Sequence, residues 1–131
     1  QAGTGAAGGL GFAFLTFTDA QLESGIKIVL EETRLEDYVK DADLVITGEG
    51  RLDEQTVMGK APIGVAHIGK PVIAFAGAVA PDATACNAHG IDAFFPILRR
   101  ISTLQEAMEP DNARQNMTDT VEQALRLFLL K

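Results

Sequence analysis

Residues 43–62 read DLVITGEGRLDEQTVMGKAP. A short apolar run stops at Gly48, and carboxylates, an arginine, a hydroxyl and a lysine follow before Pro62. Parallel α/β sheets bind ligands in the crevice outside the carboxyl ends of their strands. The stretch therefore predicts a buried parallel strand that delivers charged groups to a ligand site, with a new helix beginning near Pro62.

The chain beyond this stretch continues to alternate between strands and helices. Gly90 is placed to end a helix, because a left-handed C-cap position favours glycine. Unbroken apolar strands that alternate with helices indicate an α/β fold whose parallel sheet is covered on both faces. The expected strands are 44–47, 72–76 and 93–97, and the expected helices between them are 62–68 and 82–89.

Two more helices are expected near the C-terminus. Ser102 and Thr103 each begin a capping-box spacing for a short helix. Asp111 or Asn112 is the expected N-cap of the last helix, which carries one apolar face as far as Phe128.

Residues 1–41 do not share this alternation. Five of the 13 glycines lie within residues 3–11, and apolar residues follow at helical spacing. This pattern predicts a glycine-rich loop that enters a buried helix, with Ser24 as the N-cap of the next one. Three strands make a thin sheet, so we expect strands from a longer chain to complete it.

Composition excludes several classes of partner. The 131 residues include 11 basic and 18 acidic side chains, a net charge of −7, and such a surface repels nucleic acid and anionic lipid. Cys86 is the single cysteine, which excludes an internal disulfide and suits a reducing compartment. We expect a cytoplasmic protein without a membrane span.

The acidic residues after the first strand are candidates for metal binding and catalysis. Glu49, Asp53 and Glu54 supply oxygen ligands of the kind that Mg²⁺ accepts beside substrate phosphates. Asp53 could instead orient or deprotonate a hydroxyl, or it could cap a helix through the N–H of a residue two or three positions later. Arg51 could neutralise a phosphate or pair with Glu49, and the sequence does not separate these alternatives.

Lys60 is a candidate anion ligand. It is not part of a P-loop, because Glu54 replaces the first glycine of that motif and Ala61 replaces its Ser or Thr. Lys60 lies two residues before Pro62, however, so it flanks a helix N-terminus where anions bind readily. The alternative is a solvated surface lysine.

The spacing Gly3-x-Gly5-x-x-Gly8 matches the glycine pattern of a dinucleotide-binding fingerprint but lacks its structural context. That fingerprint requires a preceding strand, and only two residues precede Gly3. Glycines that allow tight turns or close helix packing are the simpler interpretation, and a helix N-terminus that cradles phosphate is the next. A dinucleotide-binding oxidoreductase domain is therefore disfavoured.

Residues 48–62 closely resemble the signature of the bacterial glycerate kinases of the type I family. Residues 5–13 resemble the glycine-rich segment of that family, and further similar segments follow in the same order at 24–26, 71–74, 90–93 and 95–97. The segment 67–70 is shorter than the family usually has. The resemblance covers essentially the whole chain.

This resemblance implies phosphorylation of D-glycerate to 2-phosphoglycerate with ATP and Mg²⁺. It implies Asp53 and Lys60 as catalytic residues, with Glu49 and Asp53 as metal contacts. The implied substrate- and ATP-binding residues are Gly48, Glu49, Gly50, Arg51, Gln55, Thr56, Gly5, Gly8 and Gly9.

The resemblance also implies the domain organisation. Family members are longer and pair a discontinuous flavodoxin-like, Rossmann-like domain with a second α/β domain inserted into it. By analogy, residues 1–41 end the inserted domain and residues 42–131 return to the flavodoxin-like one. We expect the chain alone to be inactive without the N-terminal part of the protein. The alternative is a non-catalytic ligand-binding or assembly module of the α/β type.

Overall fold

The computed structural model describes residues 4–58, 61–66 and 69–130. Three helices come first and are followed by three strands, which alternate with helical segments; a pair of helices ends the chain. The α-helices are α1 (Ala6–Phe17), α2 (Gly25–Thr33), α3 (Leu35–Val39), α4 (Ala61–Ala66), α5 (Leu104–Met108) and α6 (Pro110–Phe128). The strands are β1 (Val45–Leu52), β2 (Val72–Val79) and β3 (Ala93–Pro96), and 3₁₀ helices span Glu54–Met58 and Pro81–His89.

The three strands form one parallel sheet in the order β1-β2-β3. Val45 lies opposite Val72 at the start of the first pair, and Ile73 lies opposite Ala93 at the start of the second. The predicted α/β class and the parallel sheet are therefore confirmed. All three strands run toward one carboxyl edge, and the two 3₁₀ helices begin there.

The predicted ends of the first two strands were wrong. β1 continues beyond Thr47 as far as Leu52, so Glu49 and Arg51 lie within the strand and not in a turn after it. Pairing continues because the two backbones approach closely near the carboxyl edge, where a Cβ atom on Gly77 would lie 2.8 Å from the carbonyl oxygen of Gly50. Gly48 and Gly50, which were expected to follow the strand, therefore lie within it.

Side chains of alternate residues on β2 enter two separate apolar clusters, one on each face of the sheet. On one face, the cluster includes Val72, Ala74 and Ala76, packed with residues of α4 and the second 3₁₀ helix. On the other, Ile73 and Phe75 pack with residues of β3 and α6. The rings of Phe75 and Phe95 stack with their centroids 5.8 Å apart.

Of the helix caps predicted from the sequence, Gly90 and Thr103 are confirmed and that of the last helix is wrong. Gly90 has φ 94° and ends the second 3₁₀ helix, as predicted. Thr103 caps α5 in a capping box with Glu106. The predicted cap of α6 at Asp111 or Asn112 was wrong, because α6 begins at Pro110, whose fixed φ suits the first helical position.

The N-terminal helix α1 differs most from expectation. Ala7, Gly8 and Gly9 all have positive φ, so the first turn is kinked and not regularly helical. Phe12 and Phe17 are 59% and 81% exposed, which makes the prediction of a buried helix wrong for the described chain. The burial would require partners that the described residues do not supply. None of the helices described has the length and apolar character to cross a membrane.

Candidate functional site

The candidate site lies at the carboxyl end of β1. Leu52 is fully buried and anchors the strand end in the core, while Asp53 follows it directly. The 3₁₀ helix Glu54–Met58 then turns the chain back and packs against the 3₁₀ helix Pro81–His89, which follows β2. The ends of two neighbouring strands thus lie at one corner of the sheet, and ligand sites of parallel sheets are found at this edge.

Asp53 presents its carboxylate at this corner beside Arg51. The Asp53 side chain is 20% exposed, and the Nε atom of Arg51 lies 3.5 Å from Asp53 Oδ2. The Arg51 side chain is 67% exposed. The guanidinium is therefore accessible to an incoming anion, while the carboxylate is mostly shielded from solvent.

The backbone of Asp53 is fixed by Thr56. The N–H of Thr56 donates to the carbonyl oxygen of Asp53 at 3.0 Å, and the N–H of Asp53 donates to Thr56 Oγ1 at 3.2 Å. The capping alternative required the Asp53 carboxylate to receive the N–H of Gln55 or Thr56. In the structure, the N–H of Thr56 donates to the Asp53 carbonyl instead.

Cys86 approaches the same carbonyl from the second 3₁₀ helix. Its Sγ atom lies 4.0 Å from the carbonyl oxygen of Asp53, and the residue is fully buried. Burial raises the pKa of the Cys86 thiol, and the negative charge of Asp53 raises it further. The thiol is therefore protonated and serves as a weak donor.

Glu49 is the second carboxylate of the site. It lies in β1 opposite Ala76 and is partly buried. One oxygen of each carboxylate, Glu49 Oε2 and Asp53 Oδ1, is shielded from solvent. Among the described residues, no group of three or more His, Cys, Asp and Glu side chains is arranged to hold a metal ion. A cation at this corner would therefore depend on one or two carboxylates and on ligand oxygens.

The structure brings part of the predicted set together. Arg51, Asp53 and Thr56 meet at the end of β1, and Glu49 lies earlier in the same strand, between Gly48 and Gly50. Gln55 is exposed on the 3₁₀ helix, whereas Thr56 is completely buried. A direct contact between Thr56 and a ligand would require the turn to open.

Two groups of predicted residues are not joined to this corner. Lys60 lies outside the described residues. Gly5, Gly8 and Gly9 lie at and just before the kinked start of α1, and within the described chain α1 makes no extensive contact with β1.

Sequence reasoning considered Cys86 only for disulfide formation and missed its contact with Asp53. Ala83 and Cys86 are three residues apart, a spacing that puts both on one face of a helical segment. Both are fully buried in the core. That spacing, together with the expected start of the helix at the carboxyl edge, is a signal that could have placed Cys86 behind Asp53.

Two cavities among the described residues lie away from Asp53. One of about 750 Å³ lies between α2, α3 and α4 over an apolar floor that includes Leu30 and Ile63. Another of about 380 Å³ follows β3 and is lined by polar residues such as Arg99 and Arg100. Neither cavity has Arg51 or Asp53 among its lining residues.

This architecture defines the class of the protein. It is a parallel α/β domain with a carboxylate and arginine site at the carboxyl edge of its sheet, where small polar ligands bind in such folds. A sequence profile of the glycerate kinase family matches residues 1–129. The chain belongs to the glycerate kinase family.

Individual relatives agree with the profile. A glycerate kinase of Haemophilus influenzae is 47% identical over 135 residues, covering 100% of this chain and 35% of that protein. Glycerate 2-kinase of Escherichia coli K12 is 50% identical over 109 residues, covering 80% and 29%. A crystal structure provisionally named glycerate kinase 2, from Salmonella typhimurium LT2, has 41% identity and a TM-score of 0.62 over 98% of this chain and 33% of that one.

The chain spans about a third of the length of the relatives it matches and corresponds to their C-terminal portion.

Proposed function

We propose that the protein to which this chain contributes transfers the γ-phosphoryl group of ATP to D-glycerate and forms 2-phosphoglycerate. The observation that carries the proposal is the partly buried Asp53 carboxylate beside the exposed Arg51 guanidinium, in a member of the glycerate kinase family. A carboxylate that can orient a hydroxyl and a cation that can meet an anion are what phosphoryl transfer to an alcohol requires.

Asp53 is the proposed base or hydroxyl-orienting group. In the transfer, a bond forms between the glycerate hydroxyl oxygen and the γ-phosphorus, and the bond from that phosphorus to the bridging oxygen of ADP breaks. The hydroxyl proton passes to the Asp53 carboxylate. Its low exposure and fixed backbone hold the carboxylate in one place, and positioning supplies much of the catalysis in this reaction class.

Arg51 and Lys60 are the proposed contacts for phosphate or the glycerate carboxylate. Arg51 is exposed at the open side of the corner, and a planar guanidinium binds phosphate and carboxylate through paired hydrogen bonds. Lys60 is assigned by resemblance to the family signature. Exposed Gln55 and the backbone of Gly48 and Gly50 would add hydrogen bonds to the same ligand.

Glu49 and Asp53 are the proposed contacts, assigned by resemblance to the family signature, for a magnesium ion that enters with ATP. Both carboxylates belong to the segment that β1 and its end supply, and each has an oxygen shielded from bulk water. Mg²⁺ commonly takes one or two protein carboxylates beside substrate phosphates and keeps several waters. When bound, it would neutralise charge on the transferring phosphoryl group.

Residues outside the Asp53 corner complete the proposal. Gly5, Gly8 and Gly9 would bind nucleotide phosphate through backbone N–H groups, as glycine-rich helix starts can. Residues 1–41 would belong to an inserted domain and residues 42–131 to a flavodoxin-like one. The N-terminal part of a full-length family protein would then supply the remaining contacts, in the cytoplasm. On this basis the isolated chain is inactive.

Replacement of Asp53 by Asn tests the proposal. In a full-length family protein that carries this chain, ADP release coupled to D-glycerate should be measured for Asp53→Asn and for Asp111→Asn. Loss of a base should lower kcat by about 10²- to 10⁴-fold. The control removes a carboxylate that is 93% exposed on α6 and should match the parent. An unchanged kcat in Asp53→Asn would show that Asp53 takes no part in phosphoryl transfer. ADP release that does not depend on D-glycerate would show that D-glycerate is not the phosphoryl acceptor.

A further inference from the structure

Thr56 is the one buried polar or charged residue among the described side chains, and its exposure is 0%. A buried hydroxyl is costly unless it is hydrogen-bonded, and here Oγ1 accepts the N–H of Asp53. The same residue returns a hydrogen bond from its own N–H to the Asp53 carbonyl. Thr56 therefore holds both backbone polar groups of Asp53 at once.

Cys86 adds a contact from a different part of the chain. It lies 33 residues from Asp53 in sequence, on the helix that follows β2, and its thiol faces the Asp53 carbonyl. Like Thr56, it is fully buried. A shift of either 3₁₀ helix relative to the other would thus be transmitted to Asp53.

We propose that Thr56 and Cys86 are positioning residues that fix the Asp53 carboxylate for phosphoryl transfer, an inference that rests on the proposed function. Thr56 does this from within the turn, and Cys86 does it from the neighbouring strand end. The structure makes Thr56 a support behind the site and not a ligand of the substrate. A displacement of about 1 Å in a reacting group can cost about 10²-fold in rate.

Replacement by a side chain of similar shape separates this role from packing. Thr56→Val keeps the volume and removes the oxygen, which leaves the Asp53 N–H without its acceptor. Thr56→Ser keeps the oxygen and removes a methyl group. If positioning depends on the hydrogen bond, Ser should restore what Val removes, whereas a packing role would make Ser the more damaging change.

The experiment compares these variants in a full-length family protein that carries the chain. We expect Thr56→Val to lower kcat by about 10- to 100-fold with little change in KM, and Thr56→Ser to recover most of it. Hydrogen exchange at the Asp53 amide should quicken in Thr56→Val. Thr84→Val is the control, because Thr84 is exposed on the second 3₁₀ helix, and it should match the parent in both measurements.

Cys86→Ala tests the second contact and remains informative if Thr56→Val fails to fold. It should lower kcat with KM retained, because the Asp53 carbonyl loses its distant donor. Asp53→Asn is measured in parallel. If Asp53→Asn retains full activity, the proposed function has failed. If Asp53→Asn is inactive while Thr56→Val and Cys86→Ala keep the parent kcat, the positioning inference alone is overturned. Equal losses in Thr56→Val and Thr56→Ser, with unchanged exchange at Asp53, would overturn it as well.

Discussion

The guanidinium of Arg51 and the carboxylate of Asp53 meet at 3.5 Å on the side of the chain opposite the buried Leu52. Residues two apart in an extended chain face the same way, so one strand end presents both groups together. Their exposures differ more than threefold, at 67% and 20%. The pair therefore combines a largely shielded anion with an exposed cation.

Replacement of Arg51 should impair catalysis without harming stability. An exposed ion pair contributes at most about 1 kcal/mol, so Arg51→Gln should leave the free energy of unfolding within about 1 kcal/mol of the parent. Loss of the guanidinium should lower kcat/KM by about 10²-fold, and Arg51→Lys should restore only part of it, because an ammonium lacks the planar fork. Steady-state kinetics beside thermal unfolding provide the check. A parent-like kcat/KM in Arg51→Gln would show that Arg51 contacts no substrate.

The Cys86 thiol should resist chemical labelling in the folded protein. It is buried, and its pKa is raised above the ordinary value of 9.0 by burial and by the charge of Asp53. A raised folded pKa means that the associated stability is complete below 9.0 and is lost as the pH rises through the folded value. Aromatic disulfide reagents should therefore label the native chain slowly and the guanidinium-unfolded chain fast.

A Cys86→Ala variant supplies the control for this pH dependence. It should lack the alkaline loss of stability that the parent shows, even if its overall stability is lower. Fast labelling of the native chain at neutral pH would contradict the buried, protonated thiol.

The sheet could be predicted from the sequence because parallel strands and the helices between them have local signals, namely apolar runs and glycines at helix ends. The apolar runs before Gly48 and Gly77 gave the strand positions, and Gly90 gave a helix end. The ends of the strands were harder to predict, because the pairing of β1 with β2 depends on the close approach of Gly50 and Gly77. That approach is a tertiary fact with no local signature.

The charged groups of the candidate site could be predicted from the sequence, but the buried residues that contact the Asp53 backbone could not. Carboxylates and an arginine after an apolar run indicate a carboxyl-edge site at once. The contact between Cys86 and Asp53 joins two separate strand ends, and its only sequence signal is the spacing of Ala83 and Cys86, which indicates a buried thiol at this edge and not its contact with the Asp53 carbonyl. The exposure of α1 was missed for a related reason. Apolar periodicity indicates that one face of a helix is to be covered, but it does not indicate which part of the protein covers it.

Gly77 should tolerate no side chain. A Cβ atom there would lie 2.8 Å from the Gly50 carbonyl oxygen, which belongs to the backbone and cannot rotate away. We expect Gly77→Ala to destabilise the protein by about 1–3 kcal/mol and to disturb the strand end that carries Arg51. Gly25→Ala is the control, because nothing lies within 4 Å of its added Cβ. Denaturant unfolding of both variants makes the comparison, and equal stabilities would contradict the close approach of β1 and β2.

The capping box of α5 should give a stability signal at acid pH. Glu106 accepts the N–H of Thr103 at 2.8 Å, and this hydrogen bond, with a second from the Thr103 hydroxyl, holds the pKa of Glu106 below its ordinary value of 4.5. A lowered folded pKa means that the stabilisation is present above 4.5 and is lost as the pH falls through the folded value. Thr103→Ala should cost about 1 kcal/mol at neutral pH, and the difference from the parent should shrink in acid.

Ser102→Ala is the matched control for the cap, because the Ser102 hydroxyl bonds only the nearby Arg100 carbonyl and takes no part in the capping box. It should follow the parent at every pH. Unfolding curves at a series of acid pH values make the comparison. A Thr103→Ala deficit that stays constant into acid would mean that the bond from the Thr103 hydroxyl to Glu106 contributes nothing, because the backbone N–H at position 103 donates to Glu106 in both proteins.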